Sequence, residues 1–105
     1  MPISINQDNF DEAVMSATGL VVLDIYATWC GPCKQMEPII NELETEFAGK
    51  CHFAKLNVEE SRDIAVSLNV TSVPTFIFVR DGNIVEKMVG YIGKEQMKHK
   101  IESYL

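Results

Sequence analysis

Two cysteines separated by two residues are the part of this sequence best suited to do chemistry. Cys30 and Cys33 lie in the segment ATWCGPCK, residues 27–34, between an apolar run and a helical pattern. Pro32 suits a first helical turn, because its missing N–H needs no partner there. Cys30 is thereby placed at the helix N-terminus, where free N–H groups and the helix dipole favour an anion. We therefore predict that the pKa of the Cys30 thiol falls below that of a free thiol, towards neutrality.

This placement predicts a division of labour between the two sulfurs. The spacing brings them close enough to bridge, and Cys33, one turn into the helix, is expected to point inward and be shielded. Cys30 then attacks a target disulfide and forms a mixed disulfide, and Cys33 attacks Cys30 to release the reduced target. Lys34 either adds positive charge near the sulfurs or is simply solvated.

Other uses of a Cys-x-x-Cys pair fit less well. Structural zinc needs four ligands, and the remaining candidates are Cys51, His52 and His99. Cys51 and His52 are adjacent, so they would point to opposite faces of a strand. A c-type haem site would need histidine where Lys34 stands. A purely structural disulfide would close only a tiny loop, so redox work is favoured and no metal site is predicted.

The elements that must position these cysteines alternate between two periodicities. Strands are predicted at residues 3–5, 20–27, 53–58, 75–79 and 84–89. Helices are predicted at 6–18, 32–47, 61–68 and 94–104, the first with Asn6 or Asp8 as N-cap and Gly19 as stop. The Asp-Gly pair at 81–82 predicts a hairpin between the last two strands. The order indicates an α/β domain of three layers, with parallel or mixed strand pairing.

Composition narrows the class of protein. The chain has 105 residues, of which 47% are apolar and 23% charged, as in an ordinary globular protein, and we expect one domain over residues 1–105. The formal charge of -6 argues against nucleic-acid binding, which needs the opposite sign. No apolar run is long enough to span a bilayer. The N-terminus lacks the pattern of a secretory signal, so a cytoplasmic location is expected.

The segment WCGPCK, residues 29–34, resembles the active-site signature of the thioredoxin family. The resemblance covers essentially the whole chain and continues in Asp24, Pro38, Val73-Pro74-Thr75, Gly82 and Val89-Gly90. Gly31-Pro32 between the cysteines resembles the reducing branch, since disulfide isomerases, glutaredoxins and the periplasmic oxidant carry other pairs there. The resemblance implies a thioredoxin fold, in which four helices flank a central mixed five-stranded sheet, and a thiol–disulfide oxidoreductase that acts as a protein disulfide reductase.

Asp24 and Lys55 are charged residues inside apolar strand patterns. A buried carboxyl should have a raised pKa, because desolvation disfavours its charge, and Asp24 could then exchange protons near neutral pH. The resemblance implies that Asp24 lies below Cys33 and helps deprotonate it, with Lys55 as its neighbour. The alternative is an acid tolerated at a strand end or paired with Lys55.

A client surface around the sulfurs is also implied by the resemblance. The Val73–Pro74 bond is expected to be cis and to face the disulfide, with the Val73 backbone pairing with an extended client segment. The alternative is an ordinary proline at the start of a strand. The client surface comprises Trp29, Gly31, Pro32, Val73, Pro74, Gly90 and Tyr91. For Tyr91, an exposed aromatic without a role is equally open.

The resemblance further implies no bound cofactor and a separate thioredoxin reductase as partner. NADPH would act only indirectly through that reductase, because this chain has no Gly-x-Gly-x-x-Gly segment. Disulfide-containing proteins such as peroxiredoxins are the expected clients, and the protein is expected to be a monomer without membrane or nucleic-acid partners. Two alternatives remain: a redox-dependent binding module that regulates a partner, and an oxidant or isomerase of a secretory compartment. Cys51 is either an apolar filler or a regulatory thiol.

Overall fold

The computed structural model describes residues 2–105. They contain five strands, three α-helices and one short π-helical segment. The strands are β1 Ile3–Ser4, β2 Leu20–Tyr26, β3 His52–Asn57, β4 Thr75–Arg80 and β5 Asn83–Val89. The helices are α1 Gly31–Glu46, α2 Arg62–Ser67 and α3 Lys94–Ser103, and the π-helical segment is Asp11–Met15. The predicted order of elements is confirmed. None of these helices is long and apolar enough to cross a membrane.

The first predicted helix, residues 6–18, is wrong in extent and type. The Asn6 side chain accepts the backbone N–H groups of Asp8 and Asn9, at 2.8 and 3.2 Å, and so holds a turn where the helix was expected to begin. These are the bonds of an N-cap residue, and the Asn6 carbonyl also accepts the N–H of Phe10 at 3.0 Å, so the predicted cap at Asn6 is confirmed. Farther along, the N–H of Ser16 reaches the carbonyl of Asp11 at 2.7 Å, which is the wider spacing of a π-helix. Asn6, and not Asp8, is therefore the cap.

The sheet has the order β1-β3-β2-β4-β5. β2 lies at its centre, parallel to β3 and antiparallel to β4, and β1 adds to β3 in parallel. This position explains the continuous apolar run of β2, since a central strand covered on both faces is buried throughout. The predicted β4–β5 hairpin is confirmed, and Asp81 and Gly82 at its turn have φ of 50° and 82°.

Two apolar cores lie on opposite faces of this mixed sheet. Alternate side chains of β2 and β4 pack against α1 and α3: Leu20, Val22, Phe76 and Phe78 meet Met36, Leu43, Met97 and Ile101. The intervening side chains of the same strands pack against the π-helical segment and α2: Val21, Leu23, Ile25 and Ile77 meet Val14, Ile64 and Ala65. The predicted three-layer arrangement is confirmed. Asp24 follows Leu20 and Val22 at a spacing of two residues, so its side chain shares their face, on the α1 side of the sheet.

Candidate active site

Cys30 is the N-cap residue of α1, four residues after β2 ends. Its backbone is extended, and its sulfur accepts the backbone N–H of Cys33 at 3.2 Å. Pro32 occupies the first turn, as the sequence predicts. Cys30 and Cys33 are joined in a disulfide, with their Cα atoms 5.2 Å apart, within the range that a disulfide allows. The predicted helix N-terminus at the redox pair is confirmed.

Burial does not distinguish the two cysteines. Cys33 is shielded as predicted, with 6% of its surface exposed, but Cys30 is equally shielded, with 4% exposed. The expected asymmetry in exposure is therefore wrong for the disulfide form. Both cysteines belong to one small buried cluster with Ala27, which follows β2, and Val73 from the loop before β4 packs against this cluster.

The loop that precedes β4 brings its backbone to the redox pair. The Val73–Pro74 peptide bond is cis, as the resemblance implied. The Val73 carbonyl oxygen lies 3.7 Å from the sulfur of Cys30. Gly90, which has a φ of 91°, donates its N–H to the Pro74 carbonyl at 2.9 Å. Three segments that are distant in sequence thus meet at one end of the sheet.

The members of the client surface differ in their exposure. Trp29 and Tyr91 expose 70% and 55% of their surfaces, and Gly31 and Pro32 are also exposed. Val73 and Gly90 are half-buried, and Pro74 is buried. Pro74 can therefore present little of its own surface, because it lies beneath the loop that it shapes.

A groove that was not predicted from the sequence adjoins the predicted client surface. A cavity of about 750 Å³ runs from Trp29 to Val73 and is lined on the α2 side by Arg62 and Val66, the latter 64% exposed. Val66 follows the inward-facing Ile64 and Ala65 of α2. The outward position of Val66 in the helical pattern was only a weak signal, because single apolar residues are common on protein surfaces.

Asp24 is buried below the redox pair, with 9% of its surface exposed. Within the described residues, no hydrogen-bond donor reaches its Oδ1 atom. It lies opposite Lys55 of β3 and Phe76 of β4. The pKa of Asp24 is raised from 3.8 to about 7, chiefly by burial and in addition by the negative charge of Glu37, while the positive charge of Lys55 opposes the shift. The predicted rise in pKa is confirmed.

A cavity of about 280 Å³ joins Asp24 to the redox pair. Its lining includes Cys33, Lys34, Glu37 and Lys55 as well as Asp24. Lys34 is exposed and Lys55 half-buried. Glu37 is not among the site residues predicted from the sequence. The sequence feature that could have identified Glu37 is its spacing from Cys33, because residues four apart share one face of a helix.

Cys51 lies apart from this site, just before β3. It is a half-buried free thiol that packs against the core between the sheet and α1. Burial raises its pKa to about 11. Within residues 2–105, no three histidine, cysteine or carboxylate side chains are grouped closely enough to hold a metal ion.

Comparison with known proteins places this arrangement in a family. The family model for thioredoxin matches residues 1–103. Thioredoxin from Staphylococcus saprophyticus is 40% identical over 103 residues, which cover 98% of this chain and 97% of the relative. Thioredoxin from Haemophilus influenzae is 34% identical over 98% of this chain and 96% of the relative. Thioredoxin-T from Drosophila melanogaster is 45% identical over 81% of this chain and 55% of the relative.

The fold and the cysteine pair agree with these similarities. A mixed sheet positions a disulfide at the start of a helix, opposite a loop with a cis peptide bond. The family consists of thiol–disulfide oxidoreductases that need no bound cofactor and interact with disulfide-containing targets and a reductase. The chain belongs to the thioredoxin family and is a thiol–disulfide oxidoreductase with the redox-active pair Cys30 and Cys33.

Proposed function

We propose that Cys30 is the attacking nucleophile of a reducing redox carrier and Cys33 the resolving thiol. The observation that carries these roles is the hydrogen bond from the Cys33 N–H to the Cys30 sulfur. It gives Cys30, and not Cys33, an amide of the first turn of α1. An anion at Cys30 is favoured by that amide and by the helix dipole.

Asp24 is the proton acceptor for Cys33 in the resolving step. It shares a cavity with Cys33, it has an unpartnered carboxylate oxygen, and its pKa of about 7 suits exchange near neutral pH. Lys55, opposite Asp24 on β3, moderates the cost of its charge. Lys34 supplies positive charge at the mouth of the cavity.

An extended segment of the client lies on the client surface. The Val73 backbone pairs with that segment beside the Cys30 sulfur. Trp29 and Tyr91 provide exposed apolar contacts, Gly31 and Pro32 leave room for close approach, and Gly90 and Pro74 hold the loop.

The reductase and the clients in this proposal are those that the family implies. The oxidised chain is recycled by a thioredoxin reductase that uses NADPH, and its clients include disulfide-containing proteins such as peroxiredoxins. Residues 1–105 act as one domain, as a monomer in the cytoplasm, without nucleic-acid or membrane partners. The formal charge of -6 agrees with the absence of nucleic-acid binding.

The test is reduction of insulin disulfides by the protein, a thioredoxin reductase and NADPH. Cys30→Ser should abolish turnover, and Cys51→Ser, which removes the remote thiol, is the matched control. Cys33→Ser should accumulate mixed disulfides on Cys30, and mass spectrometry then names the clients. Full turnover by Cys30→Ser would refute the assignment. A stable complex that survives replacement of both Cys30 and Cys33 would support a binding module instead.

A further inference from the structure

Asp24 faces a second carboxylate across the cavity that it shares with Cys33. Glu37 lines this cavity and also a smaller one of about 30 Å³, which Asp24 and Lys55 line as well. Glu37 follows Cys33 by four residues on α1, so both project from the same face of the helix. Glu37 is exposed and Asp24 is buried. One carboxylate is therefore open to solvent and the other is enclosed behind it.

We infer that Glu37 is a positioning residue that sets the pH range in which Asp24 can take the proton of Cys33. This inference rests on the proposed function, in which Asp24 is that acceptor. Because like charges disfavour each other's ionised form, the negative charge of Glu37 holds the proton on Asp24 to higher pH. Glu37 touches neither client nor sulfur in this role and acts only through Asp24.

The step that Glu37 controls is the release of the client. The Cys33 thiol gives its proton to the Asp24 carboxylate, and the sulfur electron pair forms a bond to the Cys30 sulfur. The bond between Cys30 and the client sulfur breaks, and its electron pair leaves on the client thiolate. Over the two exchange steps together, Cys30 and Cys33 are oxidised to a disulfide and the client disulfide is reduced by two electrons. Asp24 finally returns its proton to the client thiolate or to water in the cavity.

The charges around Asp24 oppose one another. The titratable groups that share its cavity are Cys33, Lys34 and Glu37 from α1, Lys55 from β3 and Tyr26 from β2. Phe76 of β4 contributes no charge on the remaining side. Glu37 shifts the pKa of Asp24 upward more than Lys55 shifts it downward, and both effects are smaller than that of burial. Glu37 is therefore the charge whose removal should move Asp24 most.

The test is an NMR titration of the Asp24 side-chain carboxyl in the oxidised protein, where neither active-site thiol titrates. In Glu37→Gln the Asp24 midpoint should fall by about 0.3 to 1 pH unit, and Glu37→Lys should lower it further. Glu42→Gln is the matched control, because it removes the same charge from the same helix at a residue that pairs with Lys94. An Asp24 midpoint that moves no more in Glu37→Gln than in Glu42→Gln would overturn the inference.

A kinetic measurement tests the same coupling in the reaction. Resolution of a preformed mixed disulfide on Cys30 should be about two- to fivefold faster at pH 6 in Glu37→Gln, because a larger fraction of Asp24 is ionised. The gain should vanish in an Asp24→Asn background; a gain that persists there would contradict an action through Asp24. Failure of the proposed function is separate, since it appears as turnover by Cys30→Ser, whereas the oxidised-state titration needs no turnover.

Discussion

The backbone N–H of Cys33 points at the sulfur of Cys30, 3.2 Å away. This amide belongs to the first turn of α1, where N–H groups have no partner within the helix. The disulfide therefore lies where the helix can stabilise a negative charge as soon as the bond opens. Because the amide is fixed by the helix, this stabilisation needs no rearrangement.

Cys30 and Cys51 of the reduced protein should react with iodoacetamide at very different rates. At pH 7 Cys30 should be alkylated first, because only the thiolate is nucleophilic. Cys51 should react at least about 100-fold more slowly, since burial raises its pKa to about 11. Peptide mass spectrometry over a time course gives both rates, and the oxidised protein, in which only Cys51 is free, is the control. Equal rates at Cys30 and Cys51 would contradict the assignment.

Asp24→Asn should stabilise the fold at neutral and alkaline pH. The folded-state pKa of Asp24, about 7, exceeds its ordinary value of 3.8, so the folded state holds the proton more tightly than the unfolded state does. Stability is therefore lost as pH rises from about 4 to about 7, by up to about 4 kcal/mol. The variant should gain most of that amount at pH 8 and little at pH 4.

Urea unfolding of the oxidised protein across this pH range measures the gain from Asp24→Asn. Asp8→Asn, which replaces an exposed carboxyl, controls for the change in net charge. A gain that is the same at pH 4 and pH 8 would show that the Asp24 charge is not its source.

Trp29→Ala should weaken client binding and leave stability almost unchanged. The Trp29 side chain is 70% exposed, so its truncation removes little buried area, whereas the proposed client contact is lost. We expect KM for a protein disulfide to rise about three- to tenfold, equivalent to about 1 kcal/mol, with a small change in kcat. Ile84→Ala is the control, because Ile84 is also exposed but lies beside the hairpin turn at the other end of the sheet. An equal effect of both variants on KM would refute a specific role for Trp29.

Gly82→Ala should destabilise the fold more than Gly49→Ala. Both glycines have a positive φ, 82° and 79°, which costs an alanine about 1 kcal/mol. Only at Gly82 would the added Cβ also lie 2.9 Å from a backbone oxygen, that of Met15 in the π-helical segment. We expect a loss of about 1 kcal/mol for Gly49→Ala and about 2 kcal/mol or more for Gly82→Ala. Thermal unfolding of both variants measures the loss of stability in each. Equal losses would exclude the contact with the Met15 backbone oxygen as the cause of a larger effect at Gly82.

The sequence predicted elements whose burial pattern is simple. The apolar run of β2 predicted a central strand, and the Asp-Gly pair predicted the hairpin, because each depends on a local pattern. The first helix was wrong in extent and type because the Ser16 N–H reaches the Asp11 carbonyl with the wider spacing of a π-helix, which apolar periodicity does not distinguish from an α-helix. All other boundaries, including those of β1, agree within one residue.

The candidate site, like the fold, was predicted from the sequence only in part. WCGPCK predicted the redox pair, and a charged residue within an apolar strand predicted the raised pKa of Asp24. The shielding of Cys30 was missed because it depends on Val73, which lies 43 residues away in sequence. Glu37 and Val66 were missed because helical spacing shows which face a residue occupies but not that a cavity or groove lies beside that face.

Because Asp24 is buried, selection for thermal stability and selection for disulfide turnover should favour different residues at this position. A library of variants screened only for survival of heat at neutral pH should enrich replacements of Asp24, because an uncharged side chain removes the cost of burying that charge. A library screened for disulfide turnover should retain Asp24 if it accepts the proton of Cys33 as proposed. The ranking of substitutions at this one position would then reverse between the two screens, so engineering for thermal tolerance should hold Asp24 fixed and seek its gains elsewhere.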